Sequence, residues 1–152
     1  MRQIFPLLLV AALFLWAGMV GAISFLEAPL KFTAPHMTVP LGVGIGRVVF
    51  QALNKVEVAL WAVAVVSAVY WRGPRRVALG LAGLSTVLLL QTFWLLPALD
   101  VRAEALLAGR TPPPSNLHLL YIVADAAKLL LLLTTGTLAL RAAMASQPAS
   151  SR

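Results

Sequence analysis

Residues 117–140, LHLLYIVADAAKLLLLLTTGTLAL, form an apolar stretch that is long enough to cross a membrane as a helix. A spanning helix needs about 20 mostly apolar residues. Three more stretches of this kind lie at about 4–26, 44–71 and 77–99. Short loops separate them. The sequence therefore predicts an all-α integral membrane protein, an antiparallel up-down-up-down bundle of four transmembrane helices.

The composition of the whole chain agrees with a membrane location. Of the 152 residues, 61% are hydrophobic and only 11% are charged, whereas about a quarter of an average soluble domain is charged. The chain has no cysteine, which excludes a disulfide framework, a thiolate metal site and a cysteine nucleophile. The net charge of +7 comes from basic residues scattered at the ends of the spans. Membrane lipids with anionic head groups are therefore the predicted partners, and nucleic acid is not.

Proline, glycine and arginine mark the ends of the predicted spans. The marking residues are Pro29, Pro35 and Pro40 after the first span, 72–76 (RGPRR) after the second, and 112–114 (PPP) before the fourth. The glycine-rich segment 42–46 (GVGIG) predicts a flexible beginning of the second span. We expect one transmembrane domain over residues 1–145 and a disordered polar tail over residues 146–152.

The lysines and arginines outside the spans favour one orientation. Six lie on the side of the two termini and the 72–76 loop, and four lie in the other two loops. Because cytoplasmic segments carry the excess of these residues, we predict a cell (inner) membrane protein with both termini in the cytoplasm. A cleavable signal peptide ending near Ala22 is the alternative for the first span, although the apolar run continues to Leu26.

Ionisable and amide side chains inside the spans are the strongest functional signal. At about 1.5 Å per residue, Glu57, Asp125 and Lys128 all lie roughly 20–24 Å from the cytoplasmic ends of their helices. Charges that face lipid are costly, so these side chains are expected to turn inward and pair. The candidate ligand-binding layer comprises Asn54, Lys55, Glu57, Gln91, Tyr121, Asp125 and Lys128. An outer rim comprises Glu27, Lys31, Arg47, Gln51, Asp100 and His118.

Helical spacing supports a shared interior for this layer. Arg47, Gln51 and Asn54 lie at i, i+4 and i+7, which is one face of the second span. From His118 to Lys128 the polar residues of the fourth span lie at i, i+3, i+7 and i+10, again on one face.

Several ion pairs are compatible with this spacing, and the sequence leaves them open. The candidate pairs are Asp125–Lys128, Glu57–Lys128, Lys55–Asp125 and, in the rim, Glu27–Lys31. A purely structural role is the competing interpretation, in which the pairs only fix how the helices pack. Intramembrane charges more often mark a functional site, which favours a binding role.

The two histidines, His36 and His118, both belong to the outer side. With Met37 they offer imidazole and thioether groups that copper accepts, but they lack tight ligand spacing. We therefore predict no metal site. No residue set has the spacing of a catalytic site, and the sequence identifies no cofactor.

Three segments resemble a family of small four-helix bacterial membrane proteins of unassigned function, which is distantly similar to the transmembrane protein 205 family. The segments are LWAGMVGAISFLEAPLKF, QTFWLLPALDVRAEALLAG and SNLHLLYIVADAAKLLLLL. The resemblance implies a four-helix membrane fold, with a proline after the first span, a proline ending the third and a histidine opening the fourth. The matching positions are Trp16, Gly18, Pro29, Pro97 and His118. Asp125, Lys128 and the 42–46 glycines depart from that pattern.

Three functions follow from these observations, in order of preference. The first is a membrane protein whose polar layer binds or passes a small polar ligand, an ion or a lipid head group. The second is an accessory subunit of a larger membrane complex, or a homo-oligomer, in which the charged layer is structural. The third is a lipid- or quinone-linked redox enzyme.

Overall fold

The computed structural model describes residues 4–146, and this part of the chain is helical without any strand. Four long helices run over Ile4–Thr33, Val39–Trp71, Arg75–Leu107 and Leu117–Ala145. Each is long and apolar enough to cross a membrane. The prediction of an all-α protein with four such helices is confirmed, and the four helices indicate a multi-pass membrane protein. The predicted tail beyond Ser146, and Arg2 and Arg152 of the charge count, lie outside the described residues.

The second helix begins earlier than the predicted span. The Thr38 hydroxyl accepts a hydrogen bond from the backbone N–H of Leu41 at 3.3 Å, and Pro40 occupies the first turn. Proline is tolerated there because the first N–H groups of a helix have no partner within it. Pro40 therefore does not break the chain, and residues 42–46 are part of the helix. Gly42 lies so close to the Phe32 ring that a Cβ would collide with it.

Two further prolines that were predicted to end spans lie inside helices instead. Pro29 follows a π-helical segment over Gly21–Glu27, and Pro97 follows one over Gln91–Leu95. A proline ring collides with the carbonyl four residues earlier and removes one N–H donor. The wider π-turn relieves both problems, as local π adjustments do in other membrane helices. The first and third helices therefore continue to Thr33 and Leu107.

An apolar core joins all four helices near the 72–76 loop. The largest of its fully buried side chains are Leu9, Leu13, Trp16, Leu84 and Leu132. The third and fourth helices approach closely at Gly80, where a Cβ would collide with the Thr135 side chain. Small residues at positions 80, 82 and 83 allow this close approach. Many large apolar side chains remain on the outer surfaces, as a lipid environment requires.

Candidate functional site

The four helices bring five polar side chains together in a closed interior position. We call Trp16, Glu57, Gln91, Asp125 and Lys128 the buried charged cluster. Trp16 comes from the first helix, Glu57 from the second, Gln91 from the third, and the other two from the fourth. All five are 0–1% exposed. Charged groups are fully buried only when they are paired.

Lys128 is the centre of this cluster. Its Nζ lies 2.5 Å from Glu57 Oε1 and 3.0 Å from Asp125 Oδ1. It also donates a hydrogen bond to Gln91 Oε1 at 2.6 Å. The ammonium therefore has oxygen atoms of three different side chains within 3.0 Å. Two of the three candidate ion pairs of the layer therefore form together, on one lysine.

Gln91 and Trp16 complete the hydrogen bonding around Lys128. The Gln91 amide donates from Nε2 to Asp125 Oδ1 at 2.8 Å, while its oxygen accepts from Lys128. The Trp16 indole N–H donates to Glu57 Oε1 at 2.8 Å. Gln91 is the first residue of the second π-segment, so the local widening caused by Pro97 begins where the amide contacts the cluster. Such π-turns often accompany functional sites.

The charges of the cluster do not balance. Two carboxylates, Glu57 and Asp125, share the single ammonium of Lys128. The second oxygen of each carboxylate, Glu57 Oε2 and Asp125 Oδ2, is buried and has no hydrogen-bond partner among residues 4–146. Fully ionised, the cluster has a formal charge of −1 in an apolar interior. A buried group in this situation is costly unless a proton or another cation neutralises it.

A second set of polar contacts joins the second and third helices on the Arg47 side of the cluster. Asn54 donates to the Thr92 hydroxyl at 2.9 Å, and Gln51 donates to Asp100 Oδ2 at 2.6 Å. We call these residues, with Arg47 and Glu104, the polar stripe. Arg47 Nε lies 3.2 Å from Asp100 Oδ1, and its Nη2 lies 2.6 Å from Glu104 Oε1. The predicted rim residues Arg47, Gln51 and Asp100 therefore contact one another.

Three residues predicted for the layer or the rim form no hydrogen bond or ion pair with the buried charged cluster. Lys55 is exposed, and its predicted pair with Asp125 is wrong because Lys55 lies on the opposite flank of the second helix from Glu57. Tyr121 is buried, but its ring packs edge-on against Phe50 with 5.4 Å between centroids. His118 is exposed at the beginning of the fourth helix.

The remaining rim and metal candidates lie apart from the cluster, before the second helix. The predicted pair between Glu27 and Lys31 is present, with 3.4 Å between the charged atoms. His36 is exposed and Met37 is partly exposed in the loop before the second helix. Within the described range 4–146, no group of three or more histidine or acidic side chains is placed to hold a metal ion.

Three residues of these contacts were not among the predicted site residues: Trp16, Thr92 and Glu104. A tryptophan in an apolar helix normally indicates core packing. Its indole N–H, however, requires an acceptor once it is buried away from water, and that requirement is the signal that points to Glu57. Thr92 is adjacent to Gln91, but a lone hydroxyl in a spanning helix usually bonds to its own backbone.

Among residues 4–146, the cluster is packed on all sides, since its members are 0–1% exposed. The two best-formed grooves of the described chain lie elsewhere. One, of about 400 Å³, is apolar and is lined by residues of 40–49 and by Leu107. The other, of about 560 Å³, lies beside Arg75, Arg76 and Arg141. Since the cluster residues are 0–1% exposed, the site is closed to anything larger than an ion.

Comparisons with known proteins do not link the chain to any family. No protein-family model, no curated protein and no solved structure matches it. The resemblance noted from the sequence therefore stays a prediction.

Proposed function

We propose that this chain is a small multi-pass protein of the inner membrane whose buried charged cluster binds one proton. Of the small polar ligands, ions and lipid head groups that the sequence allows, the closed geometry favours the smallest. The single observation that carries this proposal is the sharing of one buried ammonium by two carboxylates, each with an unpartnered oxygen. A proton on either carboxyl makes the cluster neutral.

The electrostatic cost of leaving both carboxylates charged supports the proton. Both near oxygens lie within 3.0 Å of one nitrogen, so the two carboxylates are close neighbours. Two like charges about 5 Å apart repel by about 3 kcal/mol at an effective dielectric constant of about 20. This repulsion favours the uptake of a proton by one of two carboxylates that share a buried site. A proton also adds no volume, which suits a site without a cavity.

The proposed membrane topology is an antiparallel bundle with both termini in the cytoplasm. The pairing of the second and third helices supports it, because residue numbers rise on one helix as they fall on the other. The successive contacts are Arg47–Glu104, Gln51–Asp100, Asn54–Thr92 and Trp61–Ser85. The chain has no cysteine, so single cysteines at Ser115 and Ser146 can be labelled from outside intact cells. We expect labelling at position 115 only, and labelling at position 146 would reverse the orientation.

Infrared difference spectroscopy between acidic and alkaline pH tests the proton. A protonated carboxyl has a C=O stretching band that a carboxylate lacks. We expect one such band from a buried carboxyl at neutral pH, and its loss in Glu57→Gln or Asp125→Asn. Glu104→Gln is the matched control, since the Glu104 side chain is 57% exposed and pairs only at the surface. A wild-type spectrum without a protonated buried carboxyl would contradict the proposal.

An accessory subunit is the second candidate, and Lys55 is the observation that favours it. This lysine is exposed on the second helix, at a height between Asn54 and the cluster. Its neighbours Val56 and Val58 are 38% and 39% exposed, so the surface around it is apolar. A lone ammonium facing lipid is costly, and an acidic residue of a partner helix would satisfy it. Native mass spectrometry should then show a partner or a second copy that Lys55→Met releases. Retention of the same partner by Lys55→Met would rule out this surface.

A further inference from the structure

We infer that the polar stripe is the route by which a proton reaches the buried charged cluster, and that this access is one-sided. The inference rests on the proposed proton site and adds the path to it. Arg47, Asp100 and Glu104 form its surface end. Asn54 and Thr92 form its inner end. Asn54 lies one helical turn before Glu57 of the cluster, and Thr92 directly follows Gln91 of the cluster.

The polar residues of the stripe recur along one side of the second helix and point the way to the cluster. On the second helix Arg47, Gln51 and Asn54 occupy one face, and Glu57 follows at i+10. At about 1.5 Å per residue, this line covers roughly 15 Å of the helix. Exposure decreases along it, from 28% for the Arg47 side chain to 8% for Asn54 and 0% for Glu57. The stripe therefore leads from solvent to the closed site.

The chemistry of the stripe suits proton movement. The partly exposed Asp100 carboxylate accepts from Arg47 and Gln51 at the surface end. Hydroxyl and amide groups further in can hydrogen-bond to water molecules that carry the proton. The transfer is an acid–base step that needs no oxidant or reductant. One proton arrives from solvent, and one cluster carboxylate becomes a carboxyl.

The opposite side of the cluster is packed with apolar side chains. Leu9, Leu13, Leu84 and Leu132 are 0% exposed and fill the interior toward the 72–76 loop. Two buried hydroxyl residues, Ser67 and Thr135, lie in this half. Neither hydrogen-bonds to the cluster, whose partners in the described chain are its own members. The apolar packing toward the 72–76 loop therefore offers a proton no path to that end of the bundle. The cluster is open to the Arg47 end alone.

Other ionisable groups on each helix surround this path. They are Glu27 and Lys31 on the first helix, Lys55 on the second, Arg102 on the third, and His118 and Tyr121 on the fourth. Lys31 pairs with Glu27, and Arg102 donates to the Pro113 carbonyl. Lys55 and His118 are exposed, so neither contributes to the interior of the path.

The test is the rate at which the cluster carboxyl exchanges its proton for deuterium after rapid mixing with D₂O, followed by the C=O band. The variant carries Asn54→Leu and Thr92→Val, which remove the inner end of the stripe. The matched control carries Trp61→Phe and Ser85→Ala, which remove a 2.8 Å hydrogen bond between the same two helices on the other side of the cluster. We expect exchange to slow by about tenfold or more in the stripe variant and to stay at the wild-type rate in the control.

The outcomes separate this inference from the proposed function. A wild-type protein without the carboxyl band contradicts the proton site itself. A normal band with unchanged exchange in the stripe variant, or with equal slowing in both variants, overturns the route and leaves the site standing. If the stripe variant does not fold, Gln51→Leu replaces it, because Gln51 is partly exposed and lies in the middle of the stripe. Exchange at the wild-type rate in Gln51→Leu would then overturn the route.

Discussion

Replacing Lys128 by methionine is the most informative single change. The substitution keeps an unbranched side chain but removes the ammonium and its three contacts of 2.5–3.0 Å. Two carboxyl groups then remain buried without a counter-charge. Removing one partner of a buried ion pair typically costs about 3–5 kcal/mol. Because each carboxyl can instead take up a proton, we expect a loss near the lower limit, about 3 kcal/mol at neutral pH.

The pH dependence of this loss follows from the same argument. Neutral carboxyls do not need the ammonium, so the penalty of Lys128→Met decreases as the pH falls. We expect Lys128→Met to take up one more proton on folding than the wild type. The difference in free energy of unfolding between the two proteins then narrows by about 1.4 kcal/mol for each pH unit by which the pH falls. The free energy of unfolding in detergent, measured at several pH values, gives both numbers.

The control and the double variants decide whether the cluster acts as a unit. Lys55→Met makes the same chemical change at an exposed position of the second helix and should cost less than about 0.5 kcal/mol. Glu57→Gln and Asp125→Asn should each cost about 1 kcal/mol, because the remaining pair with Lys128 is neutral. In each double variant with Lys128→Met, the loss in free energy of unfolding should be smaller than the sum of the two single losses by about 1–3 kcal/mol. Additive losses, or equal losses in the two lysine variants, would refute the reasoning.

Two further predictions concern neighbouring contacts. Trp16→Phe removes the hydrogen bond to Glu57 and should lower the free energy of unfolding by about 1.5–3 kcal/mol, and a thermal melt as stable as that of the wild type would contradict this contact. Gly80→Ala places a methyl group against Thr135 and should cost about 1–3 kcal/mol. Gly83→Ala is its control, since the added Cβ meets Leu131 at an ordinary 3.5 Å, and equal thermal stability of the two variants would count against the close approach.

The approximate location of the cluster could be predicted from the sequence because hydrocarbon leaves charged groups few alternatives. Glu57, Asp125 and Lys128 lie at similar heights, and pairing is the cheapest way to bury them. Height along a helix does not give direction around it, however. Lys55 and Glu57 differ by about 200° around the helix axis at about 100° per residue, so only Glu57 can face Lys128.

The ends of the helices and the identity of the hydrogen-bonding partners could not be predicted in this way. Pro29 and Pro97 normally end helices, and the π-turns that accommodate them depend on packing by neighbouring helices. Trp16 and Thr92 are uncharged residues in apolar segments. The Trp16 indole N–H requires an acceptor once it is buried, but the local sequence does not tell which helix supplies that acceptor, and Thr92 offers no comparable signal.

The protonation of the five side-chain carboxyls at neutral pH tests the central claim most directly. The chain contains only two aspartates and three glutamates, so their ¹³C carboxyl signals can be assigned in protein labelled at these residues and embedded in lipid bilayers. The account predicts one proton shared between or held by Glu57 and Asp125, with the other three groups ionised. Five fully ionised carboxylates in the folded protein would contradict it.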